Sequence, residues 1–434
     1  MSQQDDFSNN DPHMPPPLDL SRWRNLPVQL LIGGLLVGLL GLAISYKGGG
    51  LNFLFAYLVA FMFILSLGAG SLFLVMVHHL FDAGWSVPIR RTCENLSYSV
   101  FSILPVLFLP LAIGAKKIYP WMTLDPHSDH ALHAKQPLFT TAGFYIVAVI
   151  CLATWFFLAQ RLRYWSLKQD ETGAAECTNK MRFLSYTGIF AFAFTLTFGA
   201  IMWMKALQHQ WFSTMYGVHY FAGSVWLTLA TIYVITMILD RQRVLSKVLH
   251  EHQYYFLGTL LFAFTVFYAY VTFSQYFIIW NANLPEETFY YVVREKGSWF
   301  FVSLVIIFGH FFLPFLALLR IDVKSNFAIM VPIAIWAWLM HFVDMAWNVM
   351  PIQFPDGFPI LWGAIALGLV AFMAGLLAIV FLKKFNSTPP FPVKDPRLIE
   401  AMGLYHPVAT PISGGEIDEA DTHHSAPAQP KGNH

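Results

Sequence analysis

The chain has 434 residues, of which 56% are hydrophobic and 12% charged, with a formal net charge of +1. Soluble domains carry about 25% charged residues, and the mean hydropathy here is +0.54. Those figures exclude a soluble enzyme and point to an integral membrane protein, and no basic stripe of the kind that binds nucleic acid is present. The three cysteines, Cys93, Cys151 and Cys177, form no C-x-x-C and no C-x-x-C-H, so the chain offers no conventional iron–sulfur ligand set and no c-type haem attachment. No P-loop, H-E-x-x-H or G-x-S-x-G motif is present.

In chain order, residues 1–24 are polar, with prolines and acidic residues and no basic region at the start. They read as a flexible cytoplasmic arm, not as a cleaved signal. Ten apolar spans follow, at about 26–46, 53–78, 96–115, 138–158, 183–204, 217–239, 254–280, 299–319, 327–349 and 360–382. Each is near the ~20 residues that cross a bilayer. They predict an all-α membrane domain over 25–385, followed by a largely disordered cytoplasmic tail over 386–434. Lys and Arg crowd alternate loops: Arg90 and Arg91; Arg161, Arg163, Lys168, Lys180 and Arg182; Arg241, Arg243 and Lys247; Arg320 and Lys324; Lys383 and Lys384. The opposite loops hold Lys47, Lys116, Lys117, Lys135, Lys205, Arg294 and Lys296. By the positive-inside rule, both termini are expected in the cytoplasm.

Asp344 is the acidic residue set deep in an apolar span, about 9 Å along the helix from the middle of 327–349 at 1.5 Å per residue. A carboxyl at that depth costs on the order of 2.5–3.5 kcal/mol and usually marks an ion or proton path. His341 lies on the same helix face, three residues away. His310 lies mid-depth in the preceding span, where Pro314 predicts a kink and a freed carbonyl. A short loop joins these spans, so His310, His341 and Asp344 are expected to form one polar chain able to pass protons. Facing histidines can also ligate a b-type haem, but no second pair at the required spacing occurs.

Two other clusters are candidates. Glu94, behind Arg90 and Arg91, can form a cytoplasmic mouth for protons, with the two arginines as interfacial anchors. On the outer side, Lys205 and His219 are possible partners of Asp344, and Tyr270, Thr272, Ser274, Gln275 and Tyr276 can supply polar groups to bridging water or simply join helices. His127, His130 and His133 have metal-like steps, but the surrounding prolines predict an extended loop that docks a partner.

Three stretches resemble one family: LSLGAGSLFLVMVHHLFDAGWSVPIRRTCENLS at 65–97, FTVFYAYVTFSQYFIIWNANLPEET at 264–288 and HFVDMAWNVMP at 341–351. The chain looks like the NrfD/polysulfide-reductase membrane subunits over about 20–400. Within that family it is most similar to the ActF-type subunit of alternative complex III, a bacterial quinol:cytochrome c oxidoreductase. The resemblance implies two four-helix bundles plus two flanking helices, one on each side, in a bacterial inner membrane. It implies a subunit without its own redox centre that contributes a proton path beside the quinol-oxidising core. Menaquinone or ubiquinone would be oxidised in the complex, with iron–sulfur clusters and haem c on partner subunits. The implied partners are a sister NrfD-like quinol-binding subunit, an iron–sulfur subunit, multihaem and monohaem c-type cytochromes, and a terminal oxidase. His341 and Asp344 fall on the family's membrane-embedded polar positions, and Glu94 on its acidic position after AGWSVPIRR. HHL at 78–80 departs from the family pattern. Two alternatives stand beside this reading: a chain that itself holds quinone between its helices, and a stand-alone ion-coupled transporter using Pro314 and Pro332.

Overall fold

The computed structural model describes residues 24–402, apart from 128 and 137. The expected arm, except Arg24, and the tail beyond 402 lie outside the described residues. Ten helices are long and apolar enough to cross a membrane. We number these spanning helices α1 (Leu26–Tyr46), α2 (Leu51–Leu80), α3 (Val87–Ile118), α4 (Thr141–Thr172) and α5 (Ala175–Trp203). They continue as α6 (Tyr216–Arg241), α7 (Glu251–Ala282), α8 (Trp299–Leu318), α9 (Phe327–Val349) and α10 (Ile360–Phe385). We call the Lys- and Arg-rich end of the bundle the inner end. Several helices outrun their apolar spans: α3, α4 and α7 have 32 residues each, about 48 Å at 1.5 Å per residue. Their polar turns therefore project past a hydrocarbon core of about 30 Å.

Local sequence sets the ends. The Thr140 hydroxyl accepts from Gly143 N to start α4, and Asn326 accepts from Ala328 N to start α9. His250 and Gln253 form a reciprocal cap on α7. Gly173 takes a left-handed φ of 66° between α4 and α5, a conformation that favours glycine. The outer loop with the three histidines is not wholly extended. Asp129 accepts from Ala131 N and Leu132 N and starts a short helix, His130–Ala134. His127 and His133 come within 5.7 Å, ring to ring.

Helices α2 to α5 close one four-helix bundle and α6 to α9 a second, joined where α2 lies along α6 and α9. The apolar stretch of α2 is 94% buried and that of α6 is 83% buried, against 22% for α1. These two helices are the shared wall between the bundles. Gly70 lets them meet: a Cβ there would fall 2.2 Å from Thr228 Oγ1 and 2.5 Å from Ser224 O. The flanking helices α1 and α10 do not sit on opposite sides, as the resemblance implied. They pack on each other, with α10 against α2 and α3. The first part of the tail is folded as well: residues 386–402 return over the inner end, where Asp395 and Arg397 are buried.

Candidate functional site

The site lies where α9 meets the shared wall. On α9, His341, Asp344 and Asn348 follow one another at steps of three and four residues, so they stack on one face. Asn348 Nδ2 donates to Asp344 Oδ1 at 3.1 Å and to its backbone oxygen at 2.9 Å. Asn348 Oδ1 accepts from Tyr216 at 3.2 Å and from Tyr290 at 3.1 Å. The outer end of α9 is then closed by Arg294, whose guanidinium donates to Trp347 O at 3.1 Å and Asn348 O at 3.0 Å. A buried cation is favourable there because the last helical carbonyls carry partial negative charge. Arg294 also stacks on Tyr290, 3.5 Å from the ring centre. Burial depresses its pKa, and the neighbouring tyrosines oppose that.

His341 packs into the space left by Gly223 on α6, where a Cβ would stand 3.1 Å from the ring. Its Nε2 lies 2.9 Å from Ser66 Oγ on α2. Ser66 is tied in turn to Tyr220, which donates to Met62 O at 2.7 Å. His310 comes from α8, four residues before Pro314. Pro314 lacks an N–H, and a wide π segment, Ile306–Phe312, precedes it. Leu313 N bonds to Phe308 O, five residues back. Trp336 of α9 donates to Gly309 O at 2.7 Å. The His310 ring is held flat between Trp226 at 3.9 Å and Tyr268 at 3.7 Å.

One nitrogen each of His310 and His341 and one Asp344 oxygen lie within 4.8 Å of one another. His219 Nε2 stands 3.6 Å from Asp344 Oδ2, with its Nδ1 3.0 Å from Thr272 Oγ1. Expectation and structure thus agree in bringing His310, His341, His219 and Asp344 together. Asp344 is 1% exposed and the histidines are buried. Yet among the described residues Tyr268 Oη, both His310 nitrogens and His341 Nδ1 make no hydrogen bond, and His219 Nε2 and Asp344 Oδ2 face only each other, beyond hydrogen-bond length. Each such atom costs about 1–3 kcal/mol if left dry. Two hydrogen bonds of about 2.8 Å meeting at a tetrahedral angle span roughly 4.6 Å. Separations up to that length leave room for single bridging waters.

Lys205 does not join this cluster. It is buried in the outer cap, 5.5 Å over the Phe139 ring and beside Lys135. Burial, then the Lys135 charge, pushes its pKa down to about 7. Lys135 donates to the backbone of His209, whose Nε2 lies 2.7 Å from Asp129.

Glu94 is at the inner end, but it is not an open mouth. It pairs with Arg90 at 3.2 Å and Arg91 at 3.4 Å, all three side chains fully buried. Arg90 reaches Asp395 of the returning tail at 2.6 Å, and Arg91 binds Asp170. Asp395 holds Arg397 at 2.8 Å, Arg397 holds Asp82 at 2.8 Å, and Asp82 holds Arg182 at 2.5 Å. Four arginines thus meet four carboxylates. The reading of Arg90 and Arg91 as interfacial anchors is overturned by this burial. Burial works to raise the Asp395 carboxyl, and the Arg90 and Arg397 guanidiniums overcome it, holding the group well below the usual carboxylate range.

Sequence reasoning missed Ser66, Tyr268, Asn348 and Arg294. Arg294 had a signal, being an arginine on the side that the charge bias leaves poor in them. The chain matches no model of a known protein family and no curated protein. What stands is a ten-span, all-helical, multi-pass membrane protein with a buried polar cluster at its bundle junction.

Proposed function

We propose that this chain is a proton-conducting membrane subunit of a quinol-oxidising respiratory complex of the NrfD-like, alternative complex III type. In this reading it has no redox centre of its own. Electrons run through iron–sulfur and haem c groups on partner subunits, and quinol is oxidised at a sister subunit. Both termini then face the cytoplasm. The carrying observation is the buried cluster around Asp344, gathered from four helices in the outer half of the bundle, with polar atoms that make no hydrogen bond among the described residues. Asp344 holds or releases a proton, and His341, fixed to Ser66, takes it up through bridging water. His310 is held in plane by Trp226 and Tyr268 so that both nitrogens stay available. His219 continues the chain toward Thr272 and the outer end. The inner charge network around Glu94 serves as the structural closure of the cytoplasmic side.

The test is the Asp344→Asn variant in proteoliposomes together with its co-purifying partners. Proton release per electron should fall while the assembly stays intact. Normal pumping and turnover by that variant would end the proposal. Purification of the chain alone, with no haem or iron–sulfur companions, would instead support a stand-alone transporter.

A further inference from the structure

The inner ends of α4 and α5 enclose a groove of about 410 Å3 whose lining includes Phe157, Arg161, Trp165, Lys180, Phe183 and Leu184. Its order of groups follows from helix direction. Helix α4 descends toward the inner end, so Phe157 lies one turn deeper in the membrane than Arg161. Helix α5 ascends from the inner end, so Phe183 lies about one turn deeper than Lys180. Cations therefore sit at headgroup level and aromatic rings at acyl level on both walls. Phe157 and Phe183 are 49% and 54% exposed, facing outward from the bundle.

The charges here differ from those of the neighbouring network. Arg90, Arg91, Arg182 and Arg397 all have carboxylate partners. Among the described residues Arg161 has no ion pair, and its guanidinium rests 5.7 Å over the Phe157 ring. Lys168 and Lys180 lie 5.2 and 4.3 Å over Trp165. The carboxylate paired with this group is Glu176, 2.6 Å from Lys180 and itself largely exposed. The group thus holds three cations and one paired carboxylate, with Asn179 as an added polar lining residue. Basic pockets between helices at this level suit anionic lipid headgroups.

We infer that this groove seats one anionic phospholipid, with its phosphate between Arg161 and Lys180 and an acyl chain along Phe157 and Phe183. The phosphate takes over Lys180 from Glu176, which turns to solvent. This inference does not depend on the proton reading, because the groove lies on the outer wall of the first bundle, away from Asp344.

The experiment is native mass spectrometry of the full chain in detergent, titrated with phosphatidylglycerol or phosphatidylcholine of identical acyl chains. The wild type should retain one phosphatidylglycerol with a preference of about tenfold or more, and the preference should weaken as salt rises. The double variant R161Q/K180Q should bind the two lipids about equally, whereas Arg161→Lys should keep the preference. An unchanged thermal midpoint in both variants checks the fold. Equal binding of the two lipids by the wild type would overturn the inference. So would an unaltered preference in the double variant, and so would displacement of the lipid by excess inorganic phosphate, which would mark a site for the free ion.

Discussion

The inner charge network, buried at Glu94 and half-exposed at Asp82 and Arg182, and the buried cluster at Asp344 are both ionisable, and they solve burial in opposite ways. Around Glu94, four arginines and four carboxylates neutralise one another over short distances, and the returning tail supplies two of the eight. Around Asp344, the ion-pair partner is His219 at 3.6 Å, and among the described residues no arginine or lysine pairs with it. A charge-balanced set of ion pairs fixes structure, even though Arg90 Nη1, Arg91 Nε and Nη1 and Glu94 Oε2 form no hydrogen bond among the described residues. A carboxyl with only a histidine beside it in an apolar span is costly to keep, and it repays that cost only if water and protons use it.

Breaking this comparison is simplest at its charge-balanced side. Arg90→Ala leaves Glu94 with Arg91 and Asp395 with Arg397, a net loss of one cation from a buried set, and losing one partner of a buried pair costs about 3–5 kcal/mol. We expect that variant to lose most of its folded yield, measured by fluorescence-detected size-exclusion chromatography. Asp344→Asn should do the reverse. The amide oxygen still accepts from Asn348, so the fold should hold, while proton flux falls by about a hundredfold, the lower end of what a positioned proton-transfer group contributes. If Asp344→Asn destabilises the chain as strongly as Arg90→Ala, the two regions do not differ in kind. A finer test is Ser66→Ala, which frees the His341 ring without removing it. One lost hydrogen bond of about 1 kcal/mol corresponds to roughly a fivefold slower relay, read as the initial rate of pH change in vesicles.

The contrast also explains what could be read from the sequence. The ten spans and the meeting of His310 with His341 and Asp344 were legible, because length, hydropathy and i, i+3 spacing are local properties. The burial of Arg90 and Arg91 was not. It depends on Asp395, 305 positions along the chain from Arg90, in a segment whose composition reads as disordered. Ser66 was hidden for the same reason: a serine in an apolar helix looks like ordinary helix contact until α9 is seen to place His341 beside it. At His310 the disturbance was legible in Pro314. The π turn was not, and its Gly309 O accepts from Trp336, which reaches across from α9.

The outer cap offers the smallest and sharpest test, because it lies between the two extremes. Lys205 is buried like Arg90, but it faces Lys135, another cation, and its pKa falls to about 7. The ordinary lysine value is about 10.4. Between those values the unfolded chain binds a proton that the folded chain does not, so stability should rise as pH rises from 7 toward 10. Burial also lowers the pKa of Lys135, which adds to the same slope. Lys205→Met removes the larger part of it. Its thermal midpoint should exceed that of the wild type at pH 7, and the difference should shrink by pH 10. For a chain of this size each kcal/mol moves the midpoint by only about 1–2 °C, so the experiment reads the pH trend of the difference. A difference that stays constant across that range would mean that Lys205 is charged throughout. The outer cap would then hold an anion that balances it, and would belong with the charge-balanced inner network.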